Sequence, residues 1–173
     1  MDNDELLVTD VGIEPVEDTL IYFGDNVKSI KVLVVDDQKV HRENMYFCLN
    51  DCVDNVKIYL AEDGLQASKM VREANEPHDM IFTDFHMPNM NGGAFLRSVS
   101  TYTHSLKFMV TAEPNLEMYT DAIEVGVVGL IRKPMSPDTL EILVSAHEKG
   151  MKADEIRSAY QYLFYVPPQQ SSN

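Results

Sequence analysis

The chain is poor in cysteine and in basic residues, and it contains no long apolar run. Lysine and arginine number 14 against 28 acidic residues in a chain of 173, which gives a net charge of −14. Such a balance offers no basic face for the phosphates of nucleic acid or for an anionic membrane surface. No apolar run approaches the ~18 residues that a membrane span needs. We therefore expect a protein that binds neither nucleic acid nor membrane.

The two cysteines, Cys48 and Cys52, are too few for a disulfide framework. The segment Met1–Glu5 is acidic where a secretory signal would be basic. These two features together predict a cytoplasmic protein with free thiols. Because the cysteines lie four positions apart on one predicted helix face, we interpret them as packing residues rather than as redox or metal-binding residues.

The charge is concentrated at the amino-terminal end. Residues 1–30 contain eight acids and one base, a net charge of −7, which is half of the total. We predict an acidic N-terminal extension over residues 1–29 and a central domain over residues 30–149. A C-terminal helical extension with a polar tail is predicted over residues 150–173, because two prolines and several polar residues end the chain.

Five short apolar runs alternate with helical patterns in the central domain. This alternation predicts an α/β fold with a five-stranded parallel sheet that is doubly wound by helices. The predicted strands are 31–35, 56–60, 80–83, 106–110 and 127–131. Such a sheet collects functional side chains at the carboxyl ends of its strands.

Helix boundaries follow from capping residues and from glycine and proline. We predict helices from Lys39 to Leu49, after Asp63 as a cap, from Gly92 or Gly93, and after Ser136 as a cap. A further helix is expected to begin at Pro114. It carries one apolar face formed by Leu116, Tyr119 and Ile123.

Polar and charged side chains follow the predicted strands directly. Three carboxylates, one hydroxyl and one ammonium group are expected to converge there: Asp36, Asp37, Asp84, Thr111 and Lys133. Three neighbouring carboxylates repel one another without a cation, and a hard divalent ion such as Mg²⁺ suits oxygen ligands. A carboxylate beside such an ion can attack phosphorus, while Lys and Thr hold the phosphoryl oxygens.

The chain resembles the receiver domains of two-component response regulators over about residues 30–148. Five short motifs in the family's order carry this resemblance: Val34–Asp37, Ala61–Ala67, Asp84–Gly92, Val110–Ala112 and Arg132–Pro134. The resemblance implies a flavodoxin-like fold with strand order 2-1-3-4-5. It also implies that Asp84 accepts a phosphoryl group from a phosphohistidine.

The resemblance implies roles for the other matching residues. Mg²⁺ would be bound by Asp37, by Asp84 and by the backbone carbonyl of His86, with Asp36 assisting through water. In the family, the residues at Thr111 and Lys133 bind the phosphoryl oxygens. The peptide bond between Lys133 and the following proline is expected to be cis.

Two features depart from the family pattern or modify it. Leu130 stands three residues before the lysine, where the family usually has a tyrosine or phenylalanine that moves inward on phosphorylation. His86 and Glu113 occupy positions that flank the path of the hydrolytic water. We hypothesise that this pair sets the lifetime of the phosphoryl group.

The sequence favours a stand-alone receiver rather than an enzyme in the ordinary sense. The donor would be a sensor histidine kinase or a histidine phosphotransfer protein, and the output would be binding to a downstream protein. Two alternatives remain open: a phosphorelay intermediate or phosphate sink, and an interaction module that ignores phosphate. A phosphohydrolase is disfavoured because such enzymes usually place a second aspartate where this chain has His86.

Some residues have simpler structural interpretations. His41 is interpreted as a surface residue, with partner docking as the minor alternative. At helical spacing near the C-terminus lie Ile156, Tyr160, Leu163 and Phe164. This apolar stripe either packs on the domain's own core or forms a homodimer through the C-terminal extension.

Overall fold

The structure is a computed structural model, and it describes residues 29–168. The strands are β1 (Ile30–Val35), β2 (Val56–Ala61), β3 (Met80–Asp84), β4 (Leu106–Thr111) and β5 (Gly129–Arg132). The helices are α1 (Lys39–Cys52), α2 (Gly64–Glu73), α3 (Gly92–Val99), α4 (Leu116–Glu124), α5 (Pro137–Glu148) and α6 (Ala153–Ala159), and a 3₁₀ helix covers Gln161–Leu163. None of the helices within this range is long and apolar enough to cross a membrane.

All five strands form one parallel sheet in the order β2-β1-β3-β4-β5. This arrangement confirms the predicted fold class and strand order. Every residue of β1 and β3 is buried, because these inner strands have helices on both faces. The predicted extension 1–29, apart from Ser29, and residues 169–173 of the predicted tail lie outside the described residues.

Alternate residues of β1 point into two separate apolar layers. Val32 and Val34 join the layer that contains residues of α1, α5 and α6, whereas Leu33 and Val35 face α2, α3 and α4. The period of two along the strand therefore sorts one continuous apolar run into two cores.

The predicted apolar face of the fourth helix is wrong at two of its three residues, because only Tyr119 packs against the core. The helix begins at Leu116, after the side chain of Asn115 accepts a hydrogen bond from the Met118 amide at 3.0 Å. The buried residues are Met118 and Ala122, whereas Leu116 and Ile123 are exposed. The helix is amphipathic, but its buried stripe is offset by one to two residues from the predicted one.

The C-terminal stripe packs on the protein's own core. Ile156 of α6 is fully buried, and Tyr160, Leu163 and Phe164 pack against the same cluster as α5. The chain leaves helical geometry near Tyr160, enters the 3₁₀ helix and then becomes extended. These contacts agree with the packing interpretation of the stripe, and the homodimer stays a prediction.

Candidate functional site

Three carboxylates meet at the carboxyl end of the sheet. Asp36 and Asp37 follow β1, and Asp84 is the last residue of the neighbouring strand β3. Each of the three offers a carboxylate oxygen that lies within 4.8 Å of the others. Asp36 and Asp84 are buried and Asp37 is exposed, so the cluster has a closed side and an open side.

A single ammonium group bridges the two buried carboxylates. The Nζ of Lys133 lies 2.5 Å from the Oδ2 of Asp36 and 2.6 Å from the Oδ2 of Asp84. Its side chain reaches the cluster from the segment after β5, where the Lys133 amide donates to the Thr111 carbonyl at 2.8 Å. One cation thus offsets two buried charges that would otherwise repel each other. The peptide bond after Lys133 is cis.

Local backbone geometry fixes both buried carboxylates. The Oδ1 of Asp36 accepts a hydrogen bond from the Gln38 amide at 2.9 Å, which turns the chain into α1. The Oδ1 of Asp84 accepts one from the His86 amide at 3.2 Å. A Cβ at Gly92 would lie 2.2 Å from the Asp84 carbonyl oxygen, so only glycine lets α3 begin this close to the site.

The remaining predicted site residues lie around this cluster. Thr111 is buried at the end of β4, one position beyond the residue that pairs with Asp84. Within residues 29–168, its hydroxyl makes no hydrogen bond to the carboxylates. His86 and Glu113 are both exposed, and among the described residues they form no ion pair with each other.

Sequence reasoning missed two residues at the site. The Nδ1 of His41 lies 3.3 Å from the Oδ1 of Asp36 and 3.2 Å from the Nζ of Lys133, so its interpretation as a plain surface residue is wrong. Arg42 donates from Nη1 to the carbonyl oxygens of Asp36 and Asp37 at 2.7 and 3.1 Å. Both belong to the first turns of α1, and their position just after the two aspartates was the available signal.

The cluster opens into a cavity of ≈ 360 Å³ between α1 and the segment after β5. The cavity is polar at the cluster and apolar elsewhere, where Met45, Cys48, Phe82 and Met135 line it. Cys48 and Cys52 are free and half-buried. Burial and the nearby Glu141 carboxylate raise the pKa of the Cys52 thiol, which disfavours the reactive thiolate.

The donor set fits a hard divalent cation. Asp37 has no ion-pair partner in the part of the chain that the structure describes, and the ammonium of Lys133 pairs with Asp36 and Asp84. Oxygen-only ligands with one open side match Mg²⁺, which retains several waters when it binds proteins. The same arrangement places a carboxylate, an ammonium group and a candidate metal site close enough for phosphoryl chemistry.

Comparison with known proteins agrees with this geometry. The family model described as the response regulator receiver domain matches residues 32–145. A probable chemotaxis protein CheY of Rhizobium etli is 30% identical over 125 residues, which cover 69% of this chain and 92% of that protein. Chemotaxis protein CheY-3 of Vibrio cholerae is 33% identical over 117 residues, covering 66% and 88% respectively.

A solved structure extends the similarity to three dimensions. Chemotaxis protein CheY4 of Vibrio cholerae matches with a TM-score of 0.60 at 31% identity, over 69% of this chain and 98% of that one. The predicted motifs, the strand order and the acidic cluster all lie within the matched region. The chain belongs to the response regulator receiver family, of the CheY-like kind.

Proposed function

We propose that Asp84 accepts a phosphoryl group from a phosphohistidine donor and that the protein signals through phosphorylation-dependent binding to another protein. The observation that supports this most strongly is the bridge from Lys133 to the buried Asp36 and Asp84. A buried carboxylate held beside a cation, next to the open acid Asp37, is suited to receive a phosphoryl group.

In the transfer step, a carboxylate oxygen of Asp84 attacks phosphorus in line with the departing imidazole nitrogen. The new O–P bond forms as the N–P bond breaks, and the electron pair of the broken bond stays on the imidazole, which then takes up a proton. Lys133 and Thr111 bind the phosphoryl oxygens and stabilise their charge during the transfer. The products are an aspartyl phosphate and a free histidine side chain.

Asp37, Asp84 and the backbone carbonyl of His86 would bind Mg²⁺, with Asp36 assisting through water. Bound Mg²⁺ supplies positive charge that offsets the charge on the phosphoryl oxygens. The exposed position of Asp37 fits an ion that keeps waters on its open side. His41 and Arg42 act as positioning residues, since both hold the Asp36 segment that faces Lys133.

The proposed partners follow from the transfer. The donor is a sensor histidine kinase or a histidine phosphotransfer protein in the cytoplasm, and the output is a downstream protein target. Small acyl phosphates are expected to serve as donors too, because this chain's own residues supply the transfer chemistry. We propose that it acts as a receiver rather than as an enzyme with a separate substrate.

The test is Mg²⁺-dependent modification by an acyl phosphate, followed by intact mass. The wild-type chain is expected to gain one phosphoryl mass only when Mg²⁺ is present, and Asp84→Asn is expected to gain none. Asp51→Asn provides the matched control, because Asp51 is an exposed acid near the far end of α1. Equal labelling of Asp84→Asn and Asp51→Asn would refute the proposal.

A second experiment separates a terminal switch from a phosphorelay intermediate. The phosphorylated chain is mixed with a purified histidine phosphotransfer protein, and label is followed from Asp84 to that protein's histidine. A terminal switch is expected to keep the label until hydrolysis. Rapid reverse transfer would instead show a relay or a sink.

A further inference from the structure

The C-terminal segment crosses the open edge of the sheet. We name residues 153–165 the strap. β5 is the last strand of the sheet, and an uncovered edge strand presents unpaired backbone groups that attract other chains. The strap lies against this strand at two places, and the two places differ in their distance from the phosphoryl site.

The inner anchor lies at the amino end of β5, away from the acidic cluster. Arg157 donates from Nη2 to the Val127 carbonyl at 2.8 Å and from Nε to the Val128 carbonyl at 3.0 Å. Ile156 is fully buried beside it in the core cluster. The buried Ile156 side chain and the two hydrogen bonds donated by the Arg157 guanidinium both stabilise this anchor.

The outer anchor lies further along β5 and has one hydrogen bond to the sheet edge, where the inner anchor has two. The Tyr165 amide donates to the Leu130 carbonyl at 2.7 Å, and the Phe164 ring covers Gly129, where a Cβ would lie 2.1 Å from it. The Tyr165 ring meets the ring of Tyr119 on α4 edge-on, with centroids 6.4 Å apart. The Phe164 ring also stacks on Phe108 of β4, with centroids 6.4 Å apart, so the Tyr165 contacts are the part of this anchor that depends on the positions of β5 and α4.

Two partners of the outer anchor, Leu130 and Tyr119, are connected to the phosphoryl site through β4, β5 and α4. Leu130 pairs with Met109 of β4, and two positions further along the same strands Thr111 pairs with Arg132. Tyr119 lies on α4, which follows Thr111 after a short loop. A pull on the Thr111 hydroxyl by a new phosphoryl group would displace the loop that positions α4.

We propose that phosphorylation of Asp84 releases the outer anchor of the strap while the inner anchor stays in place. Release frees the Leu130 carbonyl and the Tyr119 face, and it uncovers a sheet edge that can accept an added strand from a downstream protein. The inference rests on the proposed function, because it requires a phosphoryl group at Asp84. In this mechanism the aromatic residue that responds to phosphorylation is Tyr165, which lies outside β5.

The absence of tryptophan from the chain allows a direct test. Tyr165→Trp places a single fluorophore in the outer anchor, and Tyr162→Trp places one on a strap residue that is 70% exposed. Each full-length variant is treated with an acyl phosphate and Mg²⁺, and intact mass measures phosphorylation in the same sample. Acrylamide quenching of Tyr165→Trp is expected to rise about threefold with phosphorylation, while Tyr162→Trp stays unchanged.

A second arm displaces the strap without phosphate. Gly129→Ala puts a methyl group where the Phe164 ring lies, so Tyr165→Trp in that background is expected to be quenched strongly before any donor is added. In the wild-type chain, hydrogen exchange of the Tyr165 amide is expected to accelerate about tenfold on phosphorylation, because one backbone hydrogen bond is lost. The Arg157 region keeps its protection.

The outcomes separate the two proposals. A chain that gains the phosphoryl mass but keeps Tyr165→Trp shielded overturns the strap mechanism and leaves the proposed function standing. Equal increases in quenching at positions 162 and 165 also overturn it, because they show general loosening. A chain that gains no phosphoryl mass overturns the proposed function and the strap mechanism together. Continued shielding of Tyr165→Trp in the Gly129→Ala background contradicts the assigned anchor.

Discussion

At the scale of single residues, Lys133 carries the electrostatic balance of the site. Its ammonium bridges two carboxylates that are each less than 10% exposed. Removing one partner of a buried ion pair leaves uncompensated charge in a poorly solvated place. Removal of Lys133 is therefore expected to destabilise the folded protein as well as to impair phosphotransfer.

We therefore predict that Lys133→Ala loses about 3 kcal/mol of unfolding free energy without divalent ions. Added Mg²⁺ is expected to restore about 2.7 kcal/mol at a hundredfold excess over its dissociation constant. Urea unfolding with and without Mg²⁺ measures both values. Lys39→Ala is the control, because Lys39 forms only an exposed pair with Glu43; equal stabilities of the two variants would contradict the account.

His78 predicts a specific pH dependence of stability. Its ring is buried, packs edge-on against Tyr59 and has an Nδ1 atom without a partner among the described residues. Burial lowers the pKa of His78 below its ordinary value of 6.5. The unfolded chain therefore takes up a proton as the pH falls through 6.5 while the folded chain does not, so stability falls in that range.

His78→Phe is expected to keep the ring contact and to remove this loss. Urea unfolding between about pH 7.5 and 5.5 should give a smaller decline for the variant than for the unmodified chain. The other histidines are common to both proteins and cancel in the comparison. Identical declines would show that His78 is protonated equally in the folded and unfolded states.

The hypothesis about phosphoryl lifetime remains a prediction at this scale. His86 and Glu113 are exposed and unpaired with each other within the described range, so we expect any effect of each on the hydrolytic water to be separate. We expect His86→Ala or Glu113→Ala to change the hydrolysis rate of the aspartyl phosphate by more than about twofold. Rates within that limit for both variants would remove the hypothesis.

At the scale of elements, capping residues govern where helices begin. Asp63 accepts hydrogen bonds from the Gln66 amide at 2.8 Å and from the Asn89 side chain at 3.0 Å. These bonds, the one from Gln66 foremost, lower the pKa of the Asp63 carboxyl below its ordinary value of 3.8. The predicted cap is confirmed, and Asp63 also ties α2 to the loop after β3.

We predict that Asp63→Ala loses about 1 kcal/mol of unfolding free energy at neutral pH. Because the pKa is lowered in the folded state, this contribution is present above pH 3.8 and is lost as the pH falls through the folded pKa. Asp63→Asn is the matched control, since asparagine also caps helices and should retain most of the stability. A pH-independent difference between Asp63→Ala and the unmodified chain would contradict the capping account.

Elements with a strong local pattern were predictable, and elements defined by tertiary contacts were not. The buried runs of β1 and β3 and the cap Ser136 of α5 are set by neighbouring residues in the sequence. The buried face of α4 depends instead on how Met118 and Ala122 meet the sheet. Likewise, the course of the strap depends on the space above Gly129, which no local pattern encodes.

At the scale of the whole molecule, the site depends both on the topology of the sheet, which the sequence predicts, and on the packing of the helices, which it does not. Strand order and parallel direction bring the ends of β1, β3 and β5 to one edge, which is why three aspartates and Lys133 could be located from the sequence. The contacts of His41 with Asp36 and Lys133 could not be located, because they depend on the angle at which α1 packs; the sequence shows only that His41 follows the two aspartates closely. The strap brings residues 153–165 into contact with β5 and α4, and we propose that these contacts respond to phosphorylation of Asp84.

The most direct test of the central claim is to locate the phosphoryl group on the chain. The protein is incubated with Mg²⁺ and an acyl phosphate and then reduced with borohydride, which converts an aspartyl phosphate to homoserine. Peptide mass spectrometry is expected to find homoserine at position 84 and at no other aspartate, and only when Mg²⁺ was present. Homoserine at a different position, or a chain left unconverted with the ion and donor supplied, would contradict the account.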